Sequence, residues 1–164
     1  MKYIIRGMQP EDIDGKGTVH YQSWQESYEG IVDSSYLNAM SEEKCRAMAH
    51  RWPQNTAVAL TADSKVIGFA AWYVSAEGIG EVNAIYLLDA YKKHGIGRAL
   101  LDYAMAQLSE CNRVILWVLK ENRDAIGFYE RYGFIPTGEE RELKLGTPVI
   151  TVCMEKTFDN LKSL

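Results

Sequence analysis

A strand that runs through a two-glycine turn straight into an apolar helix restricts this chain more than any other feature of its sequence. Glu81 to Leu88 reads EVNAIYLL, β-branched and aromatic enough for a strand, and Tyr91 to Leu101 reads YKKHGIGRALL. From Gly97 to Glu110 the residues Leu100, Leu101, Ala104, Met105 and Leu108 keep helical spacing. Arg113 to Leu119 (RVILWVL) is then a continuous apolar run, the pattern of a strand buried on both faces. Strand, helix and parallel strand make a βαβ unit, with the glycine turn at its first corner.

Such a corner cradles phosphate. Lacking Cβ atoms, Gly95 and Gly97 let the backbone approach an anion, and the first N–H groups of the helix, with its positive dipole end, point at it. Lys92, Lys93, His94 and Arg98 surround the turn with cationic or titratable side chains. A dinucleotide fingerprint requires a third small residue where Leu100 stands, and a P-loop requires Gly-Lys-Ser/Thr, so both are set aside. Asp14 to Thr18 (DGKGT) only superficially resembles a P-loop, because Pro10 replaces the first glycine and no strand leads into it. It reads as a loop or a helix start.

The remaining elements follow from local patterns. Lys2 to Arg6 is a short strand, and Pro10-Glu11-Asp12 opens a first helix expected to run to about Tyr28. His20, Trp24 and Tyr28 recur every four residues on it, with Val19 and Ile31 supporting an apolar side. Ser34 to Met40 and Ser41 to Arg51 read as short helices, the second with Ser41 as its cap. Thr56 to Ala62 and Lys65 to Ser75 form a hairpin around Asp63-Ser64, and Ile135 to Leu143 with Pro148 to Lys156 form another across Gly146-Thr147. Antiparallel hairpins beside a parallel unit make the sheet mixed.

A second motif follows the βαβ unit. Asn122 to Phe134 reads NRDAIGFYERYGF, in which Asn122 caps a short helix, Ala125, Ile126, Tyr129 and Tyr132 share a face, and Gly133 ends it. From Glu81 to Phe134 the chain resembles the GNAT superfamily of acyl-CoA-dependent N-acyltransferases. That family carries (Gln/Arg)-x-x-Gly-x-(Gly/Ala) after its fourth strand, then Asn-x-x-Ala-x-x-(Phe/Leu)-Tyr-x-x-x-Gly-Phe. Lys92 stands where Gln or Arg is usual.

The resemblance implies an α/β (α+β) GNAT fold: a mixed central sheet of about seven strands flanked by about four helices, as a single domain over residues 1–164. It implies acetyl-CoA as co-substrate, and direct attack of a primary amine on its thioester. By resemblance the pantetheine arm lies along the backbone of Ile85, Tyr86 and Leu87, and the pyrophosphate over Lys92, Lys93, His94, Gly95, Ile96, Gly97 and Arg98. Asn122 matches the residue that bonds the cofactor or an ordered water. Tyr129 stands at the general-acid position, where a phenol with pKa near 10 can protonate a thiolate. Glu81 matches the catalytic glutamate of the histone-acetylating branch. Some amino-terminal acetylating members use a Glu on the next strand, where this chain has Trp117; ordered water or an already neutral amine could also serve. Trp24 and Tyr28 would line the acceptor site.

Bulk properties narrow the class. The 164 residues, 47% hydrophobic and 24% charged, suit one ordinary globular domain. A net charge of -4 argues against a nucleic-acid or anionic-membrane partner. Three scattered cysteines, Cys45, Cys111 and Cys153, without CxxC or a Cys/His cluster, point to reduced thiols, a cytoplasmic protein and no metal site. No apolar run approaches a membrane span, and the amino terminus turns charged too early for a secretory signal. The expected function is therefore N-acetylation of a small-molecule amine, with a polyamine favoured. Alternatives are a protein or peptide amino-group acetyltransferase and a non-catalytic acyl-CoA-binding module; the family resemblance allows a homodimer.

Overall fold

The structure is a computed structural model and describes residues 1–158; residues 159–164 of the expected domain lie outside the described residues. In chain order the elements are β1 (Tyr3–Gly7), a 3-10 turn (Pro10–Asp12), α1 (Ile13–Ser27), α2 (Ser34–Ala39), α3 (Glu42–Arg51), β2 (Thr56–Thr61) and β3 (Val66–Val74). Then come β4 (Gly80–Leu87), a second 3-10 turn (Asp89–Tyr91), α4 (Ile96–Gln107), β5 (Arg113–Leu119), α5 (Arg123–Tyr132), β6 (Ile135–Leu145) and β7 (Thr147–Thr157). Among the described residues there are thus five α-helices, against about four expected, and one seven-stranded sheet in the order β1-β2-β3-β4-β5-β7-β6. Neighbouring strands are antiparallel except β4 and β5, which are parallel and joined through α4.

Helical spacing on α4 becomes its buried face: Ile96, Leu100, Leu101, Ala104, Met105 and Leu108 pack with Ile67, Val82, Val114, Leu116 and Met154 on one side of the sheet. Each fully buried Leu or Ile there contributes roughly 1.5–3 kcal/mol relative to exposure. The opposite side carries α1, with Val19 against Val58, Leu60 and Phe69. A third cluster, Val32, Leu37 and Leu119, ties α2 to the β6–β7 hairpin through Tyr36, Leu145 and Val149.

The end of the first helix and the reading of Asp14 to Thr18 hold, and one local expectation, an unbulged β4, is corrected. The helix expected to run to about Tyr28 ends at Ser27 with Tyr28 as its C-cap, and Ile31, beyond Gly30 at φ 79°, packs from the connection that follows. Asp14 to Thr18 lies inside α1. Its glycines answer to packing: a Cβ on Gly15 would sit 2.7 Å from Val66 Cγ2, and one on Gly17 2.5 Å from the Arg46 Cα. Lastly, β4 is bulged. Its partners on β3 step from Ala71↔Ala84 to Trp72↔Val82, which leaves Asn83 as an extra residue.

That bulge reverses side-chain parity along β4. Ile85 and Leu87 face the α4 core, whereas Ala84 and Tyr86 face α1. Without the extra residue, Glu81 would share the α4 face with Ile85 and Leu87. Instead Gly80, packed on Leu108 and Cys111, and Val82 take that face, and Glu81 turns to the α1 side with Tyr86.

Candidate active site

Two ladder pairs join β4 to β5, Gly80↔Val114 and Glu81↔Ile115; beyond them the strands part. From Val82 to Leu87 the edge of β4 that looks toward β5 pairs with no strand, so its backbone groups are available to an extended ligand. Both strands end at the glycine turn and the start of α5, which therefore flank the wide end of the split.

At the turn, Gly95 is the N-cap of α4 at φ 80°, ψ 1°, a left-handed conformation that costs glycine least. No side chain caps the helix, so the N–H groups of Ile96, Gly97 and Arg98 are presented outward while the Ile96 side chain is wholly buried. Lys93 also takes a positive φ of 65°. Lys92 pairs with Asp89 at 2.5 Å, and Arg98 lies 5.4 Å over the Tyr132 ring, whose hydroxyl donates to Asp102 at 2.7 Å. Glu26 of α1 accepts from the Asp89 N–H at 2.9 Å, tying the turn to the opposite face of the sheet. Phe128 of α5 lies within contact distance of a Cβ built on Gly97. The cradle thus fits a diphosphate: free helical N–H groups, a backbone approachable at two glycines, and the cations Lys93 and Arg98 beside it.

Asn122 caps α5, its Oδ1 accepting from the Ala125 N–H at 3.3 Å, and Gly133 closes the helix in the left-handed region. Tyr129 on this helix packs edge-on to Phe128 and Phe134 in the α4-side core. Burial first, and then the nearby Tyr28 phenol, holds its pKa far above the usual phenol value, so the hydroxyl keeps its proton at neutral pH. Tyr28 and Tyr86 belong to the α1 face, and Tyr129 feels the one and acts on the other.

The α1 face of the split is aromatic. His20, Trp24 and Tyr28 stack along α1, with Trp24 and Tyr28 edge to face at 4.7 Å and His20 parallel to Tyr86 at 5.9 Å. The Tyr28 and Tyr86 hydroxyls share a 3.2 Å hydrogen bond, and the buried Trp24 Nε1–H points into the group without completing a well-formed one. Tyr36 joins from α2, where the hairpin tip at Gly146 comes close to Asp33 and Tyr36.

His20 is held to a pKa of about 4, by burial first and by the adjacent Lys16 second. Because the folded value lies below the unfolded one, the neutral imidazole contributes stability above about pH 6.5 that is lost as pH falls toward 4. The loss from this residue is on the order of 3 kcal/mol. Urea titrations at pH 7 and pH 4.5 should show a smaller acid-induced loss in His20→Phe than in the parent. Equal losses would remove His20 as the cause.

The Glu81 side chain lies half-buried on the same face and makes no hydrogen bond or ion pair among the described residues. Burial raises its pKa, partly offset by Arg141, whose guanidinium lies 3.9 Å over the Trp117 ring. Trp24 and Tyr28 thus group with Tyr86 on the α1 side, Glu81 stands at the last paired position of β4 and β5, and Asn122 and Tyr129 belong to α5, which follows β5. Leu87 and Ile85 send their side chains into the core and offer only backbone. The Tyr86 ring, Tyr36, Trp117 and Arg141 were not among the expected site side chains. Strand parity would have signalled Tyr86 had the bulge been known. Among the described residues no three His, Cys, Asp or Glu side chains converge as a metal site requires, and no helix is long and apolar enough to cross a membrane.

Comparison with known proteins agrees with this geometry. The model of the Acetyltransferase (GNAT) family matches residues 20–134. The uncharacterised N-acetyltransferase YuaI of Bacillus subtilis (strain 168) is 33% identical over 138 residues, covering 78% of each chain. Spermidine N(1)-acetyltransferase of Thermoplasma acidophilum is 29% identical over 147 residues, 82% of this chain and 89% of that protein. The crystal structure of PaiA N-acetyltransferase from Thermoplasma acidophilum in complex with coenzyme A superposes with a TM-score of 0.73 at 27% identity, covering 96% of this chain and all of that one. The chain belongs to the Acetyltransferase (GNAT) family and is an N-acetyltransferase with acetyl-CoA as co-substrate.

Proposed function

We propose that residues 1–164 form one cytoplasmic domain that acetylates the primary amine of a small acceptor, polyamines foremost. The observation that carries this is the unpaired edge of β4 from Val82 to Leu87 ending beside the uncapped start of α4, with the buried, protonated Tyr129 phenol on α5 after the neighbouring strand β5. Acetyl-CoA supplies the activated acetyl thioester. The backbone of Ile85, Tyr86 and Leu87 holds the pantetheine arm, residues Lys92 to Arg98 hold the pyrophosphate, and Asn122 bonds the cofactor or a water beside it. Trp24 and Tyr28 line the acceptor side. Glu81, directly or through water, takes the ammonium proton, and Tyr129 gives its phenolic proton to the departing sulfur. The spermidine-acetylating relative supports a polyamine, and three buried free cysteines support a reducing compartment.

An acceptor screen with acetyl-CoA, following CoA release across polyamines, amino acids, aminoglycosides and peptides, tests the acceptor class. Spermidine and related polyamines are expected to turn over fastest; preferential turnover of peptides would favour the protein-acetylating alternative. Absence of CoA release with every acceptor, with acetyl-CoA still bound, would favour a binding module. Glu81→Gln is expected to leave acetyl-CoA affinity intact and to depress the rate most at low pH, where least of the amine is already neutral. A pH-rate profile of Glu81→Gln that overlays the parent's would leave ordered water as the base.

A further inference from the structure

One edge of the sheet is β6. Eleven residues long, it pairs with β7 on one side and with no strand among the described residues on the other, and residues 138–144 are all exposed. An edge of that length leaves a row of backbone N–H and C=O groups open to a further strand. Its regular stretch is shorter. The register slips between Pro136 and Glu140, where Gly138 takes φ 88°, then runs unbroken from Glu140↔Val152 to Leu145↔Thr147 before Gly146 turns the chain. Within that stretch Glu140 pairs with Lys120 at 2.7 Å and the Arg141 guanidinium lies on the Trp117 ring. Glu142 and Lys144 have no such outlet. Their neighbours on β7 are the apolar Ile150 and Pro148, and neither charge makes an ion pair or a side-chain hydrogen bond among the described residues. Leu143, between them, is 45% exposed.

We propose that β6 is the interface of a two-fold homodimer, in which it pairs antiparallel with β6 of a second copy and Leu143 meets its own counterpart on the axis. Symmetry restricts the register. When an edge strand pairs with its own copy about an axis normal to the sheet, one residue faces itself, and residues equally far before and after it face each other. Centred on Leu143, Glu142 of each copy faces Lys144 of the other, so two opposite-charge pairs flank an apolar pair. Arg141 then faces Leu145, and Glu140 faces Gly146, which uses the regular stretch from bulge to turn and no more. Centred on Glu140, Glu142 or Lys144, like charges meet on the axis; centred on Arg141, arginine meets arginine and Glu140 meets Glu142. Charges on an edge commonly repel other strands. These repel in the neighbouring registers and attract in this one, so they select it. An axis normal to the sheet keeps both α1 faces on one side, and the clefts of the two copies open in the same direction.

Sedimentation velocity at low ionic strength, from about 1 μM to about 1 mM, spans the range in which small interfaces associate. The parent is expected to approach twice the monomer mass as concentration rises. Glu142→Lys and Lys144→Glu should each remain monomeric, because either change sets like charges against each other at both flanking positions. Mixed in equal amounts, these two variants should associate with one another, since every flanking pair is then lysine against glutamate. The double variant Glu142→Lys/Lys144→Glu should dimerise as the parent does. Both side chains are exposed, so cooperative thermal melts are expected throughout and separate dissociation from misfolding. Leu143→Cys reads the register: facing residues of paired strands hold their Cα atoms within about 5.5 Å, a disulfide's reach. Mild oxidation should join two copies through Leu143→Cys and not through Arg141→Cys or Glu142→Cys, while the native Cys45, Cys111 and Cys153 are buried. A parent that stays monomeric across the range overturns the proposal. So does a dimer that survives both single charge reversals, or one that crosslinks through Arg141→Cys or Glu142→Cys in preference to Leu143→Cys.

Discussion

Replacing Tyr129 with Phe is expected to lower turnover by about a hundredfold to ten-thousandfold while leaving acetyl-CoA affinity close to the parent's. The ring is packed against Phe128 and Phe134, and Phe fills the same volume, so the variant loses one hydroxyl and no core contact. A pKa held well above the usual phenol range marks a reluctant acid in water, but on the proposed reading the departing sulfur would be enclosed with it. Burial penalises a bare thiolate as it penalises a phenolate, and the difference that drives the proton from oxygen to sulfur is thereby kept. Steady-state kinetics with calorimetric Kd for acetyl-CoA separates the two effects. Full turnover in Tyr129→Phe would reduce Tyr129 to a packing residue.

Acetyl-CoA binding is expected to fall below calorimetric detection when Gly95 and Gly97 are both replaced by Val, with the fold retained. Nothing lies within 4 Å of a Cβ on Gly95, so bulk there meets no protein atom. The cost is conformational: φ 80° is hostile to a β-branched residue, and relieving it rotates the N–H groups that open α4. At Gly97 a Cβ alone would stand 3.6 Å from the Phe128 ring, and the two further methyl groups crowd the ground between α4 and α5. Thermal melts should show a modest loss with cooperative unfolding preserved. An unchanged Kd in the folded double variant would remove the turn from cofactor recognition.

Where the determinants are local, the site was legible in the chain. The glycine turn, the apolar stripe of α4, the Asn122 cap and the Gly133 stop depend on a few neighbouring residues, and each appears where those residues put it. The bulge at Asn83 was not legible, because no residue type marks it: the strand reads as regular alternation until β3 supplies the register. Glu81 was assigned to the cleft on the premise of an unbulged strand, and it reaches the α1 face through the bulge. Arg141 on Trp117 was out of reach for another reason. Their meeting requires β7 to enter the sheet between β5 and β6, a choice made by long-range pairing. The glycines within α1 likewise answer to partners distant in sequence, Val66 and Arg46.

The seam between β4 and β5 has a meaning for assembly as well as for chemistry. One half of the sheet, β1 to β4, is a run of antiparallel neighbours in chain order apart from the helical insertion after β1; the other half is β5 with the β6–β7 hairpin. Each half can zip from its own nearby pairs, and two parallel ladder pairs stitch them together. On the proposed reading, an extended cofactor arm along β4 would supply the pairing that the strands do not supply to each other. A ligand held by both halves would add its binding free energy to the fold, so the concentration of CoA in either form would set how tightly the halves are held. Protease resistance and amide protection along β4 and β5 should therefore follow the acetylation state of the CoA pool less than its total size, since the arm and pyrophosphate, common to both forms, make the repair.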